Sequence, residues 1–324
     1  MQNALIVLGM HRSGTSALAG VLSLLGADPG TSLLPAQEGV NPKGFWEHAE
    51  LVAIHDKLLD AFGSSWDDIS PLPDHWWRGP TADSFRAMLL EVLHHEFDTA
   101  SLWLAKDPRL CRLLPLWLDL LDELGCHPHF LISLRNPADV AHSLGRRDNL
   151  AEPESCMLWL TYMLEAERLT RDKPRIFVSY DRLLADWRQI IEQVGTGFSL
   201  RWPVPVGAAA PAIDAFLDPA LRHADDIALS SHPACRMAEE AFQALMNQNT
   251  DTRPILDRLQ HQMLELEELV APWSKCLSLL RRQTVQCEAQ NILLQAEVAR
   301  VKATLSWKIT GPLRATWNLL RRKS

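Results

Sequence analysis

Leu5-Ile6-Val7-Leu8-Gly9-Met10-His11-Arg12-Ser13-Gly14-Thr15-Ser16-Ala17-Leu18-Ala19 is an apolar run that breaks into a glycine-bracketed turn and resumes as an apolar, helix-forming segment. A short continuous apolar run reads as a strand buried on both faces, and the turn that ends it leads into a helix. Strand, turn and helix in that order lay out a phosphate cradle. Gly9 and Gly14 permit a tight turn and bring backbone N–H groups close to an anion. Thr15 and Ser16 place hydroxyls at a helix N-terminus, where the dipole already favours negative charge. The ATP-binding version of this layout carries a lysine directly after the second glycine. Here Thr15 stands in that place, and the cation, Arg12, lies inside the loop.

Outward from this stretch, apolar strand-like runs alternate with helical segments. Leu102–Ala105 ends in Lys106-Asp107-Pro108-Arg109; His129–Leu134 ends in Arg135-Asn136-Pro137; Arg175–Ser179 is followed by Tyr180-Asp181. Helices are expected at about 15–25, 47–62, 81–97, 110–124, 137–146, 153–171 and from 181 to about 194. The alternation implies right-handed crossovers and a parallel sheet covered on both faces. Ligands of such sheets bind beyond the C-terminal strand ends, where Arg12, Lys106, Arg135 and Tyr180 all fall. Residues 63–80, with Trp66, Trp76 and Trp77, read as a lid or substrate-side insertion, and the proline-rich stretch 195–235 as irregular.

The bulk properties exclude some functions. A chain of 324 residues with 47% hydrophobic content supports one large α/β domain plus an appendage. The net charge of −8 argues against a nucleic-acid binder. Residues 298–324 hold seven cations and no acid, so removing them from the net −8 leaves −15 on the remainder. The six cysteines form no C-x-x-C pair, which gives no zinc or redox signature and points to a reducing cytosol. Residues 4–9 are too short for a signal-peptide core, and no window approaches a membrane span.

From Leu256 the pattern changes. Positions 256, 259, 263, 266, 270, 273, 277, 280, 284, 287, 291, 294, 298, 301 and 305 step by three and four without a slip, and 13 of the 15 are apolar. This is a heptad seam. With Leu256 at position a, Asn291 also falls on a, which favours a parallel homodimer in one register. Pro272 is expected to divide the seam into two helices; packing of the helices back on their own domain is the competing arrangement. The end of the chain, 306–324, mixes tryptophans, leucines and cations, and suits either an anionic membrane surface or a solvated tail. The expected organisation is therefore a nucleotide-type domain over 1–250, heptad helices over 251–305 and a basic tail over 306–324.

Two motifs together resemble a family. Gly9–Ser16 resembles the 5′-phosphosulfate loop of sulfotransferases that use 3′-phosphoadenosine 5′-phosphosulfate (PAPS). Leu131-Ile132-Ser133-Leu134-Arg135-Asn136-Pro137, with Ser143 eight residues after Arg135, resembles their 3′-phosphate motif. The likeness spans about residues 1–225 and is nearest to bacterial sulfotransferases related to the carbohydrate and tyrosyl-protein types, whose loops carry arginine. Residues 256–324 lie outside it. Similar coiled-coil segments ending in Ser-Trp-Lys/Arg-Ile-Thr-x-Pro-Leu-Arg are appended to some bacterial enzymes that assemble cell-surface glycans. The resemblance implies an α/β, P-loop-type parallel sheet, transfer of a sulfuryl group from PAPS to a hydroxyl acceptor such as a cell-surface glycan, no metal, and a cytoplasmic enzyme, peripheral at the inner membrane face if the tail binds there.

Sulfuryl transfer needs in-line attack on sulfur, a leaving phosphate oxygen and cations where charge develops, so the protein's work is positioning and electrostatics. The resemblance assigns His11, Arg12, Ser13, Gly14, Thr15 and Ser16 to the 5′-phosphosulfate, with His11 shaping the loop. It assigns Arg135, by its planar fork, and Ser143 to the 3′-phosphate, and Lys106 to the bridging oxygen. Glu47, after Lys43-Gly44-Phe45-Trp46, is the first choice for the base, ahead of Glu38 and then His48 or His55; an acidic residue there also suits a helix start. Trp46, Trp66, Trp76 and Trp77 serve either core packing or stacking on a sugar or adenine ring. Arg222-His223 falls where the family places its last nucleotide loop, but the usual Arg-Lys-Gly is absent. Two other readings are a P-loop kinase or NTPase, opposed by the missing lysine, and a non-catalytic coiled-coil adaptor.

Overall fold

The computed structural model describes residues 2–37, 41, 43–217, 228–247, 251–303 and 310. Glu38, Arg222, His223 and the tail 306–324 apart from Thr310 lie outside the described residues. The chain divides into two compact units, Met1–Pro272 and Trp273–Ser324. Residues 251–272, grouped from sequence with the heptad helices, thus belong to the first unit.

Four parallel strands form the sheet of that unit: β1 (Asn3–Leu8), β2 (Leu102–Lys106), β3 (His127–Leu134) and β4 (Arg175–Ser179), in the spatial order β2-β1-β3-β4. The register pairs Val7 with Lys106 and Leu8 with Ile132. The two faces of β1 feed two separate cores. Ala4, Ile6 and Leu8 join one with α2 (Ala49–Ala61), α3 (Pro80–Phe97), α4 (Leu110–Glu123), α5 (Pro137–Asp148), α6 (Glu152–Leu169) and α10 (Pro233–Met246). Leu5 and Val7 join the other with α1 (Thr15–Leu24), α7 (Tyr180–Ala185), α8 (Trp187–Gly197) and α9 (Val206–Phe216). Every residue of β1 from Ala4 to Leu8 is buried, which is why it reads as a continuous apolar run rather than an alternating one.

Local chemistry sets the helix starts that matter. The Asn136 side chain accepts from the Ala138 amide at 2.9 Å and Pro137 occupies the first turn, so α5 begins immediately after Arg135. The stretch expected to be irregular contains α9, and α10 begins within it. Pro205 precedes the first helical residue of α9 and Pro233 opens α10, positions where proline favours helix rather than breaking it.

The last helix, α11, runs Arg253–Ala303 with Pro272 inside it, so the expected break at Pro272 is not seen. A helix tolerates an interior proline by giving up one backbone hydrogen bond. Within the first unit, Leu256, Leu259 and Met263 of α11 are buried in the first core, and Glu267, itself buried, accepts from the Thr161 hydroxyl of α6 at 3.0 Å. Among the described residues, no helix is long and apolar enough to cross a membrane.

Candidate active site

The strand order reverses direction at β1, which opens a crevice at the carboxyl ends of β1, β2 and β3. The cradle turn leaves β1 level with Lys106 and Ser133. Gly9 has φ +140° and a Cβ there would meet the Ser133 carbonyl at 2.9 Å; Gly14 has φ +85° and a Cβ would lie 2.1 Å from the Tyr180 ring. Both glycines are therefore fixed by backbone conformation and by contact. Arg12 itself takes a left-handed φ of 69°, which curls successive amides into a concave nest of the kind that holds anions. The Ser133 hydroxyl ties down the loop by donating to the Ser13 carbonyl at 2.7 Å, and the Gly9 amide donates to Cys111 Sγ at 3.2 Å.

The two sequence motifs meet. Arg12 Nε donates to Ser143 Oγ at 2.8 Å, and Arg135 Nη1 donates to the Arg12 carbonyl at 3.1 Å. The Arg135 guanidinium lies 5.0 Å from the Tyr180 ring centroid, and its buried Nε, with no hydrogen-bond partner among the described residues, lies 3.5 Å from the Asp139 carboxylate. From the end of β2, Lys106 reaches the Ser16 hydroxyl at 3.2 Å and the Phe45 carbonyl at 3.0 Å, and forms a buried ion pair with Glu47. Asn41 donates to the same Ser16 hydroxyl at 3.1 Å.

These groups line one cavity of about 800 Å³. Among its described lining residues are seven cationic side chains, Arg12, Lys43, Lys106, Arg109, Arg135, Arg146 and Arg147, against three carboxylates, Glu47, Asp139 and Asp148. Burial and the cations Arg109 and Arg147 push the His11 imidazole well below its ordinary pKa, which keeps it neutral. Burial, with Arg147 and Arg135, also lowers the Arg12 pKa. Burial raises the Glu47 carboxyl, and Lys106 only partly offsets it. Burial would also raise Asp107, but Arg109 and His55 outweigh it and hold that carboxylate far below the usual range.

His11, Arg12, Gly14, Thr15, Ser16, Glu47, Lys106, Arg135 and Ser143 all line the cavity, whereas Ser13 is fully buried behind the loop and does not. Among the candidates for the base, Glu47 faces the cavity while His48 and His55 do not. His55 is held from both sides: its Nδ1 lies 2.8 Å from Asp107 and its Nε2 accepts from Trp117 at 2.9 Å. His48 is buried 3.5 Å from Glu96. Of the four tryptophans singled out from sequence, only Trp66 lines the cavity, 4.7 Å from the His11 ring. Trp76 is buried in the core, Trp77 packs against it, and Trp46 packs edge-on to Phe216.

The sequence reading missed Asn41, Asp139, Arg146 and Arg147. The last three follow Arg135 by 4, 11 and 12 residues, which puts them on the same face of α5 as Ser143; that spacing is visible in the sequence.

The chain is similar to bacterial sulfotransferases of known structure. Sulfotransferase STF9 from Mycobacterium avium aligns at 17% identity over 77% of this chain and 77% of its own, with a TM-score of 0.43. Sulfotransferase STF1 from Mycobacterium tuberculosis H37Rv aligns at 14% identity over 75% and 76%, TM-score 0.40. The sulfotransferase domain from the curacin biosynthetic pathway aligns at 13% identity over 75% and 98%, TM-score 0.38. No protein-family model and no curated protein matches the sequence.

Proposed function

We propose that this chain is a sulfotransferase that moves the sulfuryl group of PAPS to a hydroxyl acceptor, a carbohydrate of a cell-surface glycan, and works in the cytoplasm. The observation that carries the reading is the meeting of the Arg12 loop with the Arg135–Ser143 motif, more than 120 residues away in sequence, in one cation-rich cavity. Two anion sites side by side, one built on a cradle without the ATP lysine, fit a nucleotide with phosphate at both ends. The buried Nε of Arg135 stands 3.5 Å from the Asp139 carboxylate, beyond good hydrogen-bond length, and an anion at that point would give it a closer partner.

PAPS supplies the sulfuryl group and a phosphate leaving group. Arg12 and the first turn of α1 hold the 5′ end, and Arg135 with Ser143 the 3′-phosphate. Lys106 neutralises charge developing on the bridging oxygen. Glu47, kept basic by burial and placed beside Lys106, takes the proton of the acceptor hydroxyl. Trp66 offers an aromatic face on which a sugar ring can stack.

The experiment is a thermal shift with 3′,5′-adenosine bisphosphate (PAP) against ATP with Mg²⁺. PAP is expected to raise the melting temperature and ATP with Mg²⁺ to leave it unchanged. The PAP shift should disappear in Arg135→Ala and persist in Glu47→Gln. No stabilisation by PAP overturns the reading, and stabilisation by ATP with Mg²⁺ alone would replace it with a P-loop kinase or NTPase.

A further inference from the structure

The heptad seam has two fates. Its first part is covered by the chain itself: Leu256, Leu259 and Met263 are buried, and Leu266 and Val270 pack against the same core. The seam keeps its register into the second unit and there faces water. Trp273 is 72% exposed, Leu280 53%, Leu294 58% and Val298 49%. Residues 273–301 span about four heptads, long enough for a coiled coil to stand by itself.

We propose that residues 273–303 pair with the same residues of a second copy of this chain as a parallel, in-register, two-stranded coiled coil. Three features of the exposed segment select this occupant. Asn291 is the one amide side chain at an a position, where a polar pair across the axis fixes both register and strand number. β-Branched Thr284 and Val298 stand at a and Leu280 and Leu294 at d, a pairing that favours two strands, with Leu277 also at a and Trp273, Cys287 and Val301 also at d. Across a parallel pair, each g residue meets the e residue five positions on. Glu297 then meets Lys302, and Cys276–Arg281, Gln283–Glu288 and Gln290–Gln295 bring no like charges together. Leu279, Ile292 and Leu293 are also exposed but lie off the seam, at c, b and c positions on the outer face.

The free thiols report the geometry. Cys287 is at d, so two copies face each other across the axis of an in-register parallel pair, whereas Cys276 at g does not meet its counterpart. Both are exposed, and Cys111, Cys126, Cys156 and Cys235 are buried.

The test uses the full chain. Light scattering at micromolar concentration under reducing conditions should give twice the 36.5 kDa chain mass. Mild oxidation should give a reducible dimer in Cys276→Ser and none in Cys287→Ser. Leu280→Asp combined with Leu294→Asp should give the single-chain mass while Cys111, Cys126, Cys156 and Cys235 stay protected from a thiol reagent, which shows the first unit still folded. A single-chain mass for the unaltered protein, a mass of three or more chains, or a dimer that does not cross-link through Cys287 would each overturn the proposal.

Discussion

At the scale of single residues, the site turns on groups whose chemistry is set by burial. Glu47 is raised by desolvation above the 4.5 of an ordinary glutamate, so the acid limb of a kcat/KM profile that depends on it should lie above that value. Glu47→Gln is expected to lower kcat by about 10²–10⁴-fold, the usual worth of a general base, and to leave PAP binding intact; full turnover in that variant would place the base elsewhere. Gly14→Ala would drive a methyl group into Tyr180 at a backbone angle that alanine resists. It should lose about 1–3 kcal/mol of stability and most of the PAP-induced thermal shift, both measurable in one melting series. Lys106 and Arg135 were legible in the sequence because each follows directly on a buried apolar run. The Lys106–Glu47 pair was not, because its members are 59 residues apart and only the register of β2 beside β1 brings the lysine to the helix that follows Glu47.

Among the elements, the strands were the easiest to read, since β1 and β3 are buried on both faces and carry almost unbroken apolar runs. Helices α9 and α10 were lost because Pro205 and Pro233 look like breakers in a list of prolines and act as helix starters in the fold. The two fates of the α11 seam could not be separated from sequence at all: Leu259 and Leu280 occupy equivalent d positions, and only the packed core beneath one of them tells them apart. The packed half contains its own titration. Burial raises Glu165 to about 7, and burial together with the neighbouring Glu165 raises Glu267 to about 7. A carboxyl whose pKa is raised on folding stabilises the fold in its protonated form, fully below about 4.5, and loses that contribution as pH rises through about 7. The melting temperature should therefore fall between pH 5 and pH 8, and Glu267→Gln, which keeps the Thr161 contact without the charge, should flatten that slope. An unchanged slope in the variant would show that these carboxyls are not its source.

For the molecule as a whole, the cysteines give a simple test of how tightly the first unit is built. Cys111, Cys126, Cys156 and Cys235 are buried there, and burial pushes the Cys111 thiol up to about 12. A thiol reagent should label only Cys276 and Cys287 in the native chain, Cys287 the more slowly if it lies in a paired seam, and all six after unfolding, as counted by mass spectrometry. Rapid labelling of Cys111 would mean that the cradle above it opens readily. The sheet order also dictates how the chain must be assembled. β1 is made first but sits in the middle, with Asn3 beside Leu102 on one side and beside His127 on the other. Its first neighbour, β2, exists only once Lys106 has been made, and its second, β3, only once Leu134 has been reached, on the order of ten seconds after β1 at typical elongation rates. During that interval Leu5–Leu8 form an unpaired apolar edge, the kind of segment that non-local pairing leaves open to aggregation. Expression of this protein should therefore be more sensitive to delays in translating residues 9–134 than to delays after them.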